Sequence, residues 1–152
     1  MITSHSVFNL VSLIAFLMSA ATLAPAQKPQ KAETGSVGVR SSAAYAEVLL
    51  RRTELESELE SLLMEFTEEY PKVKANRHSL AQLQKQADIL LATKAAEASK
   101  LTLALGKMIV RKVELETDLW ALQQTLADGH PDVKRAKRRV EIYDNAIKEI
   151  LG

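Results

Sequence analysis

The chain has 152 residues, 47% of them hydrophobic and 26% charged, with a formal net charge of +1. Such a balance sets up no overall field that would demand an acidic partner. The absence of cysteine rules out a disulfide framework, a thiolate metal site and a lipidated cysteine, while five glycines, four prolines and 5% aromatics favour long helices over a sandwich or barrel.

Val7 to Ala24 is apolar apart from Asn9, Ser12, Ser19 and Thr22, and no Lys, Arg, Asp or Glu precedes Lys28. Ala24-Pro25-Ala26 sets small residues where a signal peptidase reads them. Residues 1–26 are therefore expected to form a signal peptide cleaved before Gln27, although the segment before the apolar stretch carries only His5. The alternative is a retained membrane anchor formed by residues 7–24. Lys28 and Lys31 on its far side would then oppose export. Residues 27–43, rich in Lys, Pro, Gly and Ser, read as a disordered linker.

From Tyr45 onward apolar residues recur at alternating spacings of three and four: Tyr45, Val48, Leu55, Leu59, Leu62 and Phe66, with Arg52 in the same series. This is a heptad seam. It stops at Tyr70-Pro71, because proline disfavours helical geometry in the residue before it and suits the first turn of the next helix. Val73, Leu80, Leu83, Ala87 and Leu90 form a second stripe. A third seam runs from Leu101 and Leu105 through Met108, Lys112, Leu115, Leu119 and Leu122 to Leu126. Only Gly106 interrupts the stretch, so residues 72–128 are expected to form one long central helix. Asp128-Gly129-His130-Pro131 reads as a turn, with Gly129 able to take the left-handed conformation that ends helices. A last helix follows from about 132 to 151, with Val133, Val140, Tyr143, Ile147 and Ile150 inward.

The chain also contains itself twice. Residues 51–91 align without gaps on 111–151, and ten of the forty-one positions are identical, among them Glu54/Glu114, Leu55/Leu115, Leu59/Leu119, Pro71/Pro131 and Val73/Val133. The fold class is therefore read as all-α: antiparallel coiled-coil helical hairpins, three helices with a long central one, in two repeats sixty residues apart. The coiled-coil domain spans 44–152, its repeats lying at about 45–95 and 105–151. Charge supports the pairing, since residues 51–70 carry two basic and seven acidic side chains while 72–100 carry six basic and two acidic. Folding back at Pro71 brings Lys74 toward Glu68 and Arg77 toward Glu65. The two hairpins are expected to lie in line along the central helix. A core this thin predicts association into a homo-oligomer.

No catalytic, cofactor-binding or metal-binding constellation stands out, and the chain reads as a non-enzyme without cofactors. The residues singled out are of three kinds. Tyr70, Pro71, Gly129, His130 and Pro131 form the turns. Arg52 and Lys112 occupy one core position in the two repeats, where a charge can fix register or simply lay its stem along the seam. Lys134, Arg135, Lys137, Arg138 and Arg139 place five cations in six residues, facing a neutral stretch around Ala121, Gln123 and Gln124. They read either as a contact for anionic polysaccharide, lipid or nucleic acid or as a solvated helix face offset by Glu141 and Asp144. The out-of-seam Trp120, where the first repeat has Glu60, joins the candidate interaction surface as a contact with another helix or subunit. A secreted location would exclude nucleic acid.

The leucine pattern followed by Tyr-Pro-Lys-Val or His-Pro-Asp-Val, and then by another amphipathic helix, resembles the coiled-coil part of bacterial polysaccharide co-polymerases, the chain-length-determinant family of exopolysaccharide export. The resemblance covers Leu115–Leu151 best and residues 55–91 less closely. It implies an extracytoplasmic helical hairpin that oligomerises, and it transfers no catalytic residue. The function expected is that of a periplasmic or secreted structural or interaction protein, a scaffold with a protein partner in the cell envelope and linked to polysaccharide chain-length control or export. The alternatives are a periplasmic holdase chaperone similar to the Skp family and a membrane-anchored coiled-coil adaptor.

Overall fold

The computed structural model describes residues 33–152. The signal-peptide and anchor readings of residues 1–26, and the linker as far as residue 32, lie outside them. The described chain is all-helical: α1 (Glu33–Arg40), α2 (Ala43–Glu65), α3 (Pro71–Leu91), a 3-10 segment (Ala95–Lys100), α4 (Leu103–Gln123) and α5 (Pro131–Leu151). No helix among these residues is long and apolar enough to cross a membrane.

Two expectations are corrected here. The linker is not structureless to residue 43. Residues 33–40 are helical, and Val39 is fully buried in the main core. The Ser41 hydroxyl donates back to the carbonyls of Val37 and Gly38. Ser42 then caps α2, accepting from the Tyr45 N–H.

The second correction concerns the central helix, which is not continuous. α3 ends at Leu91, Lys94 is extended (φ −64°, ψ 144°), and Thr102 opens α4 by accepting from the Leu105 N–H. Residues 92–100 have helix-forming composition but no apolar face to bury, and burial decides helix stability in proteins more than propensity does. Breaking there brings Leu90, Leu101 and Leu105, all at 3% exposure or less, into one cluster. Full burial of each such side chain contributes roughly 1.5–3 kcal/mol, whereas helix propensity distinguishes ordinary residues by no more than about 0.7 kcal/mol each. Gly106, the one glycine in that stretch, lies inside α4 and does not interrupt it.

The break turns α4 back beside α2, so the two repeats pack side by side and not in line. α2 and α4 run parallel. The Ala44 N–H donates to the Leu101 carbonyl (3.2 Å), and Arg51 reaches Glu114 (3.6 Å). α3 is antiparallel to both, with Lys72 on Glu58 of α2 (2.7 Å) and Ser79 on Thr117 of α4 (2.7 Å). α5 packs antiparallel on α4, through Lys112 and Asp144. α4 is the central element, in contact with α2, α3 and α5.

Gly106 explains how close α2 and α4 come. A Cβ there would sit 2.8 Å from the Ala44 Cα and 3.0 Å from its carbonyl oxygen. The glycine is a contact surface, not a hinge.

Candidate interaction surface

The turn residues sit at the helix starts. Tyr70 is the N-cap of α3 and Pro71 its first residue, and the Tyr70 ring stacks on Phe66 with centroids 4.1 Å apart. His130 is the N-cap of α5, its Nδ1 accepting from the Asp132 N–H, and Pro131 follows as the first residue. Gly129 departs from expectation. Positive φ among the described glycines occurs only at Gly152, so Gly129 takes no left-handed conformation. α4 has already ended at Gln124, whose N–H is taken by the carbonyls of Ala121 and Leu122, so no left-handed cap is needed.

Arg52 and Lys112 make the same link twice. Arg52 donates to Gln84 (3.0 Å) and lies on Glu56; Lys112 donates to Asp144 (2.6 Å) and lies near Glu116. Gln84 and Asp144 are themselves sixty residues apart. The two links differ in character. The Lys112 side chain is 13% exposed and its partner is a carboxylate, whereas that of Arg52 is 30% exposed and meets a neutral amide. The Asp144 carboxyl is held below the ordinary aspartate range by its hydrogen bonds from Lys112 and then Lys148.

All five cations of the basic run are exposed. Local acids engage three of them: Arg135 pairs with Asp132, Lys137 with Asp128 (2.9 Å) and Arg138 with Glu141 (2.6 Å), as the solvated-face reading expects of Glu141, whereas Asp144 holds Lys112 and Lys148 instead. Lys134 and Arg139 make no ion pair among the described residues. Sequence explains Lys134. Its counterpart Lys74 holds Glu69, and sixty residues on that glutamate is Gly129. Both expected pairings shift toward the turn: Arg77 takes Glu68 and not Glu65, while Lys74 uses the turn acid Glu69 and not Glu68.

Trp120 lies half-buried against α3 with its ring stacked on His78, centroids 4.8 Å apart. Burial pushes His78 below its ordinary value of 6.5, against the opposing pull of Glu116 and with a smaller lowering from Lys85. The indole lines a groove of about 310 Å³ with Pro71, Lys74 and Gln124. The basic run lines a different groove, of about 590 Å³, between the end of α4 and the start of α5. Leu122 and Ala136 contribute its apolar lining, with Asp118, Asp132, Arg135 and Arg139 around them. The structure therefore does not join Trp120 to the cations.

The larger groove has a counterpart in the first repeat, between α2 and α3, which Glu114, Thr117 and Asp118 of α4 cover down to about 270 Å³. No group of three or more metal-ligating side chains occurs among the described residues. Comparison with protein-family models, with curated proteins and with solved structures finds no match.

Proposed function

We propose that the chain is a non-enzymatic coiled-coil protein of two antiparallel helical hairpins, secreted or periplasmic, that acts as a rigid spacer or assembly platform in the cell envelope. The observation that carries this reading is the repeated cross-helix link, Arg52 to Gln84 and Lys112 to Asp144, at the same register in both repeats. A polar group in an otherwise apolar seam costs stability and fixes alignment, which is what a part of defined length requires. The pairing of acidic α2 with basic α3, through Glu58–Lys72 and Glu68–Arg77, acts in the same direction.

The resemblance to polysaccharide co-polymerases makes polysaccharide export the envelope process we assign to it, with Lys134 and Arg139 as the cations left for an anionic surface. The test is fractionation of cells expressing the full chain, with sequencing of the mature N-terminus. A periplasmic product beginning at Gln27 supports the reading, and a cytoplasmic product with an intact N-terminus overturns it.

A further inference from the structure

Within the molecule, α4 docks on the face made by α2 and α3. On the corresponding face of the second repeat, made by α4 and α5, no helix is docked among the described residues; the 3-10 segment touches α5 only near its C-terminal end, where Lys100 donates to the Leu151 carbonyl (2.7 Å). The corresponding docking surface of the first repeat, on α2, is exposed as well among the described residues. Leu49 and Leu50 of α2 are 40% and 57% exposed, yet Ile109, the counterpart of Leu49, is 1% exposed. Ala46, Thr53, Glu54, Ser57, Glu60 and Ser61 continue this exposed stripe; their counterparts include buried Gly106 and Val113. Each end of the stack thus presents one half of an interface that the molecule already makes once inside itself.

We propose that copies of the chain assemble head to tail, α2 of one copy occupying on the α4/α5 face of the next the place that α4 occupies on α2/α3. This rests on the structural reading above and names its partner: a second copy of this chain.

The internal contacts, shifted by sixty residues, supply the test of fit. Arg51–Glu114 (3.6 Å) becomes Arg111 against Glu54 of the incoming copy. The His78–Trp120 stack becomes Arg138 against Glu60, and Ser79–Thr117 becomes Arg139 against Ser57. The tight crossing of Gly106 on Ala44 becomes Ala46 on Ala104, small residues again on both sides. The two charged pairs among these, Arg111 with Glu54 and Arg138 with Glu60, join opposite signs.

One shifted position gathers like charges. Glu58 of the incoming copy approaches Asp118 and Asp132, and Arg135 is the cation placed among them. The interface joins two different faces, so it has no two-fold axis. Repetition extends it into a filament or closes it into a ring.

The chain has no cysteine, which allows a direct test on the full chain under mild oxidation. Ser57→Cys and Arg139→Cys occupy the shifted equivalents of the Ser79 and Thr117 hydroxyls, 2.7 Å apart in the internal contact. Both sites are exposed, and neither side chain makes a hydrogen bond in the described structure. The double variant is expected to give a ladder of disulfide-linked dimers, trimers and longer species. Neither single variant should cross-link alone, and a mixture of the two should give dimers. The control is Ser79→Cys/Thr117→Cys, which should close within one chain.

A closed control with no ladder overturns the assembly and leaves the fold standing. A control that stays open removes the internal contact and the proposal with it. Dimers of the Ser57→Cys variant alone show a two-fold contact and also overturn it.

Discussion

The two repeats share their seam, their proline corners and one cross-helix link, yet they meet different surroundings. The first is covered by α4 along its length, and its groove is correspondingly small. The second lies open on the equivalent side, and there the sequence has placed arginine: Ser79 becomes Arg139, and His78 becomes Arg138. The same backbone pattern tolerates a buried hydroxyl where a neighbour packs and carries a cation where solvent is met. The residues that diverge between the repeats mark what each face touches, while the identical ones mark what holds each pair together.

The largest effect is expected where the repeats touch most closely. Gly106→Leu should drive α2 away from α4 and cost about 3 kcal/mol, read as a lowered urea midpoint. Retention of wild-type stability would mean that the repeats are not packed at this crossing.

The shared link comes next. Lys112→Ala removes a charge-assisted hydrogen bond from a largely covered site and should cost about 2 kcal/mol. Arg52→Ala removes a more exposed one and should cost about 0.5 kcal/mol. Equal costs would erase the distinction drawn between the repeats.

Acid sharpens it. The carboxyl of Asp144 titrates below its ordinary value of 3.8 in the folded chain. Its contribution is present in full above that value and is lost as pH falls through the folded-state pKa. Denaturation with pH lowered through that window should narrow the gap to wild type more for Lys112→Ala than for Arg52→Ala, because the cross-helix partner of Arg52 is a neutral amide.

His78 gives a smaller signal. Burial lowers its pKa, so the stability contributed by the neutral ring is present above 6.5 and declines as pH falls through the folded-state value. Fluorescence of Trp120, the sole tryptophan, should titrate with a midpoint below 6.5, and His78→Gln should abolish that transition. A midpoint above 6.5 would contradict the burial. The smallest effect is expected at Gly129, where an added Cβ meets nothing and φ is not positive. Gly129→Ala should change stability by no more than about 1 kcal/mol, toward greater stability.

Helix existence and the turns at Pro71 and Pro131 were legible because apolar spacing and proline act locally. Val48, Leu55, Leu83, Leu105 and Leu115 of the predicted seams are buried. Val39, Ile109 and Val113 are also core residues, and no single-helix seam could have named them: Ile109 and Val113 are buried where one repeat docks on the other, and Val39 where α1 packs on the 3-10 segment, α2 and α3. The break at residues 92–102 was hidden for a similar reason. Its Ala- and Lys-rich composition suits a helix, and only the gain from burying Leu101 and Leu105 against α2 overrides it. Among the candidate site residues, the proline turns followed from local rules. The Gln84 and Asp144 partners did not, although the sixty-residue offset applied to Arg52 and Lys112 would have pointed to them. Glu141, on α5 beside Arg138, was legible as an offset to the basic run, but Asp128 and Asp132 lie at the connecting turn, where attention to the facing helix alone could not find them.

The side-by-side stacking of the repeats is tested most directly by spin labels at Ser61 and Ala121, two exposed positions related by the repeat. Packed parallel helices lie about 8–10 Å apart, so the account predicts a short label separation of that order, extended only by the label arms. A continuous helix through residues 92–102 would set the same labels about 60 Å apart at 1.5 Å per residue, and a separation on that scale would contradict the account.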